Sequence, residues 1–482
     1  MGGSSAAAVL AHAGLRVLLL EKNPRLGGSC SYYQKHGFRI DFGTHMFSRG
    51  PRGPIGEVQR RIGLSAEQQV RFVRAPTICQ VRGLPKPLVV PASPWRLPAF
   101  AIDLIRTLRL SPREVFDSGR LFAAMFTMTE AEIAVWDRRT IEQFILRYTD
   151  NPRLIGLLGL LLGLYFVLPF WTVSAGEAIW CFRQMVRDNY VSYPLGGSSA
   201  IPQRLCDAAV SHGATIRCNA EVVRIEPAGG DRRARIATRQ GAQYQARAVV
   251  CTTSLKDLVQ RLIGAEHFPA RFASRVDGLR SSYVAVQCKI ALRRNCISHG
   301  CIVGAASRVP GLKPHLLSLA DYRRIFGELE QGCVPSVMPL YCQVPTFFDP
   351  SLAPVGRQLL SVCGVAPTLD VSLQQPERVW AETLLQAIDQ LLPETRGERL
   401  FIDTISVRSL GSWIGKVNAP AISTAQTTDQ VGARRPSVRL PVQGIYAAGD
   451  GAGGRGVGTE LAVASGMLAA DAVLEDLARA LI

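Results

Sequence analysis

Much of the chemistry of this chain is bounded by what its sequence lacks. Its 12 cysteines include no C-x-x-C pair, so neither a zinc ribbon nor a dithiol redox motif is present. The tightest grouping, Cys296, His299 and Cys301, has no obvious fourth ligand nearby and reads as a loop; no metal site is expected. There is no Ser-His-Asp order and no carboxylate pair suited to acid–base hydrolysis. Neither a repeat nor a low-complexity tract interrupts the 482 residues, a length that suggests two or three domains. Acids are in deficit, 38 Asp and Glu against 55 Lys and Arg, leaving a formal charge of +17. The bases are scattered and no nucleic-acid motif accompanies them, so nucleic acid is not an expected partner. Attraction to anionic lipid headgroups suits such a surface better, with dispersed solubilising charge as the plainer account. Secretion signals are absent too, since the N-terminal apolar stretch reads as a domain helix. A cytoplasmic setting with reduced thiols is expected, peripheral on the inner face of a membrane if there is contact. Hydrophobic residues make up 47%, enough for large cores and too many for a disordered chain.

A clear membrane span is also missing. Leu154 to Trp171 carries no charge and contains a G-x-x-x-G at Gly159 and Gly163, but a span needs about 20 apolar residues. Gly156 weakens the run and Pro169 interrupts it. It reads instead as a buried helix lining an apolar substrate tunnel. Pro91 to Leu110 mixes Trp95, Phe100, Leu104 and Leu108 with Arg96, Arg106 and Arg109. That composition suits a segment in a membrane interface, or an amphipathic helix packed on its own domain.

The last absence is half of a glycine motif. Met1 opens a small-residue helix that runs to about Ala13 and is ended by Gly14. Arg16 to Glu21 reads as a buried parallel strand with an acid at its tip. Helix, strand and carboxylate form the second half of a dinucleotide-binding fingerprint. A full fingerprint opens with a strand and G-x-G-x-x-G; here Gly2 and Gly3 stand alone, Gly3 taken as the third glycine. With a central strand wanting, the chain as given is expected to fold badly or to bind its dinucleotide poorly. A start assigned too late or a shortened chain is the expected cause, and a relic that has given up its cofactor is the alternative. A second glycine turn follows, Pro24 to Gly28, with Lys22 and Arg25 beside it. At the far end, Ile445 to Ala448 is a short apolar strand that breaks into glycines around Asp450 and Arg455, and a helix follows from Thr459. Such a strand, turn and helix start lets backbone approach a ligand closely and favours an anion there.

These segments resemble the flavin-dependent amine oxidase superfamily, and within it the phytoene desaturase and carotenoid isomerase branch. The resemblance covers most of the chain. It rests on Gly2-Gly3 with Glu21, Arg25 to Gly28, Asp41 to His45, Tyr193 to Gly197 with Ile201-Pro202, Asn219 to Val223, and Gly449-Asp450 with Gly454 to Gly458. It implies an α/β fold. A discontinuous Rossmann-like FAD-binding domain would take residues 1–65, 191–265 and 405–482, its first strand missing. A mixed α+β substrate-binding domain would take 66–190 and 266–404. The implied cofactor is FAD, held by Gly2, Gly3, Glu21, Lys22, Arg25, Gly27, Gly28, Gly43, Thr44, Val223, Gly449, Asp450, Gly456, Val457 and Gly458. The Asp450 carboxylate is expected to accept a hydrogen bond from a ribityl hydroxyl, and the Val222-Val223 backbone to bond the adenine. The candidate catalytic residues are His45 beside the flavin, Lys289 bridged by water to flavin N5, and Arg455 as a fixed cation near the ring. The plainer readings are a turn-capping histidine, a structural lysine and a solvated loop arginine.

The chemistry so implied is hydride transfer from a carbon to flavin N5, with the protein holding that carbon, excluding water and steadying the reduced ring's charge. A lipophilic substrate is expected, and desaturation of a polyisoprenoid comes first. A carotenoid isomerase using reduced flavin, an amine or protoporphyrinogen-type oxidase, and a lipid-binding module without redox chemistry are the alternatives. Oligomeric state is not legible. Between the motifs, Ile201 to His212 reads as a helix, Thr215 to Ile225 as a strand, Ser281 to Leu292 and Arg357 to Cys363 as strands, and Glu377 to Leu392 as an amphipathic helix.

Overall fold

The structure is a computed structural model and describes residues 1–43, 46–229, 233–309 and 319–479. The α/β class holds. Two short parallel pairs lie at the heart of one region. Leu18–Leu20 pairs with Thr215–Arg217, and Val249–Cys251 pairs with Ile445–Ala447. Three helices cover them, Gly2–His12, Ala200–Ser211 and Gly458–Ala478, sharing one apolar core. Small residues set how close these helices come. A Cβ on Gly466 would lie 2.4 Å from the Gly2 carbonyl oxygen, and one on Gly2 would lie 2.8 Å from the Gly449 nitrogen. Only hydrogen fits at either place.

The Leu18–Leu20 strand departs from expectation. A parallel strand of three leucines should be buried on both faces, yet Leu18 is 37% exposed and Leu19 and Leu20 are half-buried. The reason is topological. Among the described residues this strand pairs along one edge only, as does Val249–Cys251, and both strands line the same cavity. The reading of Thr215 to Ile225 as one strand is also corrected. Asn219 turns the chain with φ 53°, so Thr215–Arg217 and Val222–Glu226 join different sheets.

The second region is a seven-stranded mixed sheet. Its order is Arg399–Ile405, Val284–Leu292, Gln358–Ala366, Val337–Gln343, Cys301–Ser307, Thr77–Arg82 and Leu88–Pro91. Among the described residues the one parallel pair of neighbours in this sheet is Cys301–Ser307 with Thr77–Arg82. Alternation along Val284–Leu292 decides its two faces. Val284, Val286, Cys288 and Ile290 enter the core beneath the helix Glu377–Leu391, whose Trp380, Leu384 and Ile388 cover them. Ala285 and Gln287 turn to the opposite face, where the cavity lies.

Between these regions stands a block of helices from residues 97 to 188. Three of them start with reciprocal caps, Ser111 with Glu114, Thr129 with Glu132 and Thr140 with Gln143. Each such cap stabilises its helix by about 1 kcal/mol. The apolar run is the helix Pro152–Phe166, capped by Asn151 and closed by Val167 at φ 52°. At 15 residues it is about 22 Å long against a hydrocarbon core of about 30 Å. No helix among the described residues is long and apolar enough to cross a membrane.

Candidate active site

One cavity of about 1230 Å³ joins the two regions. Its two arms differ in kind. The first is lined by the start of the Gly2–His12 helix, the Gly27-Gly28 turn, Glu21, Thr252, Asp450 and the start of the Gly458–Ala478 helix. The second is lined by Ile78, Val90, Leu161, Leu164, Val303 and Val365. Gly43 lines the cavity as well.

In the first arm the ligand-facing surface is largely backbone. Gly28 has φ 58° and Gly458 has φ 57°, a left-handed conformation that glycine adopts without strain. A Cβ at either would meet nothing within 4 Å, so the space beyond each is the cavity itself. Two helix N-termini open here, bringing unpaired N–H groups and partial positive charge. Gly449 is held in place by Ser465, whose hydroxyl accepts from its N–H and donates to its carbonyl, both at 2.7 Å. Glu21, at the tip of its strand, accepts the Asn23 N–H at 2.8 Å. Burial raises its pKa above the ordinary carboxylate value, although the Asn23 N–H and nearby cations oppose this. This donor set, with one acidic acceptor, fits a diphosphate joined to a ribose diol.

Several expected contacts fall elsewhere. Lys22 lines the cavity, but its Nζ donates to the Ser412 carbonyl. Arg25 does not reach the cavity; it stacks on Tyr32 at 5.4 Å and donates to that residue's carbonyl at 3.4 Å. Val222 lines the cavity while the Val223 side chain does not, because neighbours on a strand point to opposite faces; the contact expected there comes from backbone and does not depend on this. Gly3 lines the cavity with Gly2, and a Cβ on Gly3 would touch the Thr252 side chain at 3.4 Å. Thr44 and His45 lie outside the described residues.

Arg455 differs most from expectation, and Asp450 has partners that were not expected. The Asp450 carboxylate, which lines the cavity, pairs with Lys416 at 2.6 Å and accepts from the Ser423 N–H and hydroxyl at 3.1 and 2.8 Å. Burial alone would raise its pKa, but Lys416 and Ser423 outweigh that and hold it below the usual range. Arg455 is neither solvated nor over the cavity. It grips Asp137 at 2.6 and 2.9 Å and Glu177 at 3.0 Å. Glu177, fully buried, also pairs with Arg435 at 3.1 Å and accepts from the Gly456 N–H at 2.7 Å. Arg455 therefore anchors the glycine loop, and Gly456 serves that anchor while Val457 and Gly458 face the cavity.

The second arm is floored by the large sheet. Cross-strand partners there form a ladder, Lys289 with Ser361, Gln287 with Cys363 and Ala285 with Val365. Polarity falls step by step away from Gly43. Lys289 is fully buried; its Nζ donates to the Ser361 hydroxyl at 2.6 Å and the Gly43 carbonyl at 3.3 Å. Burial lowers its pKa to about 8. Lys289 thus stands behind Gly43, at the polar end of the ladder.

Sequence reasoning missed Glu460. It follows Gly458-Thr459 in the first turn of the last helix and faces the cavity. It accepts the Arg49 N–H at 2.9 Å and lies 3.3 Å from the Ser48 hydroxyl. Burial pushes its pKa up to about 7. The signal was available, since an acid in the first turn after a glycine loop is placed by the helix itself. Lys416 was missed as well and gave no such signal, lying in an irregular stretch.

Comparison with known proteins agrees with this geometry. The model of the family described as flavin containing amine oxidoreductase matches residues 1–474. The chain is similar to a phytoene dehydrogenase of Streptomyces griseus, 27% identical and covering 98% of this chain and 93% of the relative. It is also similar to a zeta-carotene-forming phytoene desaturase of Myxococcus xanthus, 25% identical, covering 91% of this chain and 85% of the relative. In fold it matches an oxidoreductase from Methanosarcina mazei with a TM-score of 0.70 at 20% identity, covering 98% of both chains. The chain is a flavin-dependent oxidoreductase and belongs to the flavin containing amine oxidoreductase family.

Proposed function

We propose that this protein uses FAD to desaturate a long, lipophilic polyisoprenoid of carotenoid type. The observation that carries this reading is the ladder on the sheet face. A polar step, Lys289 with Ser361, gives way to Ala285 with Val365 along the floor of an apolar arm. An elongated hydrocarbon gains roughly 25 cal/mol for each Å² it buries in such an arm, and a small polar amine gains little. Bound FAD supplies the hydride acceptor. The chain's own part is to hold the reacting carbon at the junction of the two arms, to exclude water with Leu161, Leu164 and Val303, and to steady charge with the last helix's N-terminus. In this reading residues 1–65, 191–265 and 405–482 hold the cofactor, and 66–190 and 266–404 hold the substrate.

The exposed helices extend the proposal to a membrane surface. Trp95 is 92% and Phe116 67% exposed, and Leu97, Ile102, Arg96, Arg106, Arg109 and Arg113 on the same stretch of chain are exposed as well. On its inner side the helix Leu97–Leu108 packs Phe100 and Leu104 against the strand carrying Val90, a cavity residue. A lipophilic substrate would then enter from the bilayer interface.

The test of function is anaerobic mixing of the flavin-loaded protein with phytoene, prolycopene, protoporphyrinogen and a primary amine in turn. Bleaching of the flavin band by phytoene, with a more unsaturated product, is expected. Bleaching by the amine alone would refute the reading, and isomerised prolycopene without net oxidation would replace desaturase by isomerase.

A further inference from the structure

Desaturation removes a hydride from one carbon and a proton from its neighbour, so the proton needs a destination inside a water-excluding site. Among the described residues five acids line the cavity: Glu21, Glu221, Asp257, Asp450 and Glu460. Four are unsuited. Asp450 is neutralised by Lys416, Glu221 is paired with Arg239 at 2.6 Å and Asp257 with Arg261 at 2.7 Å. Glu21 stands at the nucleotide end. Glu460 alone borders the apolar arm, next to Tyr165, which lines both the main cavity and a small pocket behind it.

Among the described residues no cation forms an ion pair with Glu460, although the Arg49 charge opposes the effect of burial on its pKa. Arg49 gives it a backbone N–H, but its guanidinium is taken by Asp188 at 2.6 Å. Arg455, across the small pocket, is held by Asp137 and Glu177. Cys181 and Asp188 on the neighbouring helix add no positive charge. The hydroxyl of Ser48 sits 3.3 Å from both carboxyl oxygens, and its interaction with the Tyr165 phenol opposes the rise that burial gives that phenol's pKa.

We propose that Glu460 is the proton-accepting residue of this site, reached from the apolar arm through Tyr165 and Ser48. The proposal rests on the desaturase reading above. As the hydride leaves, the neighbouring substrate carbon gives its proton to the Tyr165 oxygen in the same step. The Tyr165 proton passes to Ser48, and the Ser48 proton passes to the Glu460 carboxylate. The broken C–H pair becomes the new C=C bond, and the hydride is taken up by the flavin, the oxidant of the proposed reaction. A carboxyl whose pKa lies near 7 is suited to accept and release that proton at neutral pH.

The test uses the flavin-loaded protein and two readouts. In infrared pH titration, which needs no substrate, a buried carboxyl band should ionise near pH 7, vanish in Glu460→Gln and persist in Tyr165→Phe. In stopped flow, Glu460→Gln should slow flavin bleaching by phytoene by roughly 10²–10⁴-fold with unchanged flavin content, and Tyr165→Phe should slow it while leaving the band intact. Wild-type bleaching rates in Glu460→Gln, or a titration with no such band, would overturn the proposal. If phytoene fails to bleach even the wild type, the desaturase reading falls, and the infrared band still decides whether Glu460 holds a proton near neutrality.

Discussion

The two arms of the cavity are built by opposite means. In the nucleotide arm, position comes from backbone: glycines with left-handed φ, two helix starts, and strands of three residues each. In the apolar arm, position comes from side chains on a regular sheet whose longest strands have nine residues. A backbone site tolerates almost no added atoms but is indifferent to most side-chain chemistry. A side-chain site has the reverse tolerance, because each residue can be changed while the sheet keeps its register. Substitutions in the first arm should therefore cost stability and flavin together, and those in the second should change ligand preference alone.

The largest expected effect lies behind the nucleotide arm. Glu177→Ala leaves the Arg435 and Arg455 guanidinium groups without their shared buried carboxylate, which costs about 3–5 kcal/mol. Denaturant unfolding should show that loss, with flavin occupancy falling as the glycine loop is released. Next comes a pH dependence. Glu460 has its folded pKa raised from 4.5 to about 7, so the folded state binds more protons than the unfolded state between these values. Stability should therefore fall as pH rises through that window, by roughly 3 kcal/mol in all, and Glu460→Gln should flatten the dependence.

Gly466→Ala should follow, because its Cβ would meet the Gly2 carbonyl at 2.4 Å. Forcing the two helices apart costs about 1–3 kcal/mol. Gly119→Ala is its control: that helical glycine meets nothing within 4 Å, and alanine there should stabilise by roughly 0.5–1 kcal/mol. The smallest effect on flavin occupancy belongs to the apolar arm. Leu161→Ala should weaken an apolar ligand roughly tenfold and leave flavin occupancy unchanged, as equilibrium binding can show. If Leu161→Ala instead sheds flavin, the contrast between the arms is wrong.

This contrast also explains what could be read from the sequence. Glycine turns and helix starts are local, so the Gly449 to Gly458 loop, the Glu21 strand tip and the Gly27-Gly28 turn were legible before any fold was known. Period-two alternation placed the Val284–Leu292 strand and with it Lys289. Partners distant in the chain were not legible. Nothing local says that Asp450 is satisfied by Lys416 and Ser423, or that Arg455 reaches Asp137 across 318 residues. Those pairings depend on the irregular path of residues 415–444 and on helix packing. Arg25 failed for a smaller reason: proximity to a motif does not determine which way a side chain points.

The central claim is that one cavity brings a flavin and a long apolar substrate together end to end. An experimental structure of the flavin-loaded protein with a bound polyene tests it most directly. The flavin ring should lie between Gly43 and the Val457-Gly458 helix start, with the polyene running along Leu161, Val303 and Val365. A ring bound away from that junction, or a polyene seated outside the sheet face, would contradict it.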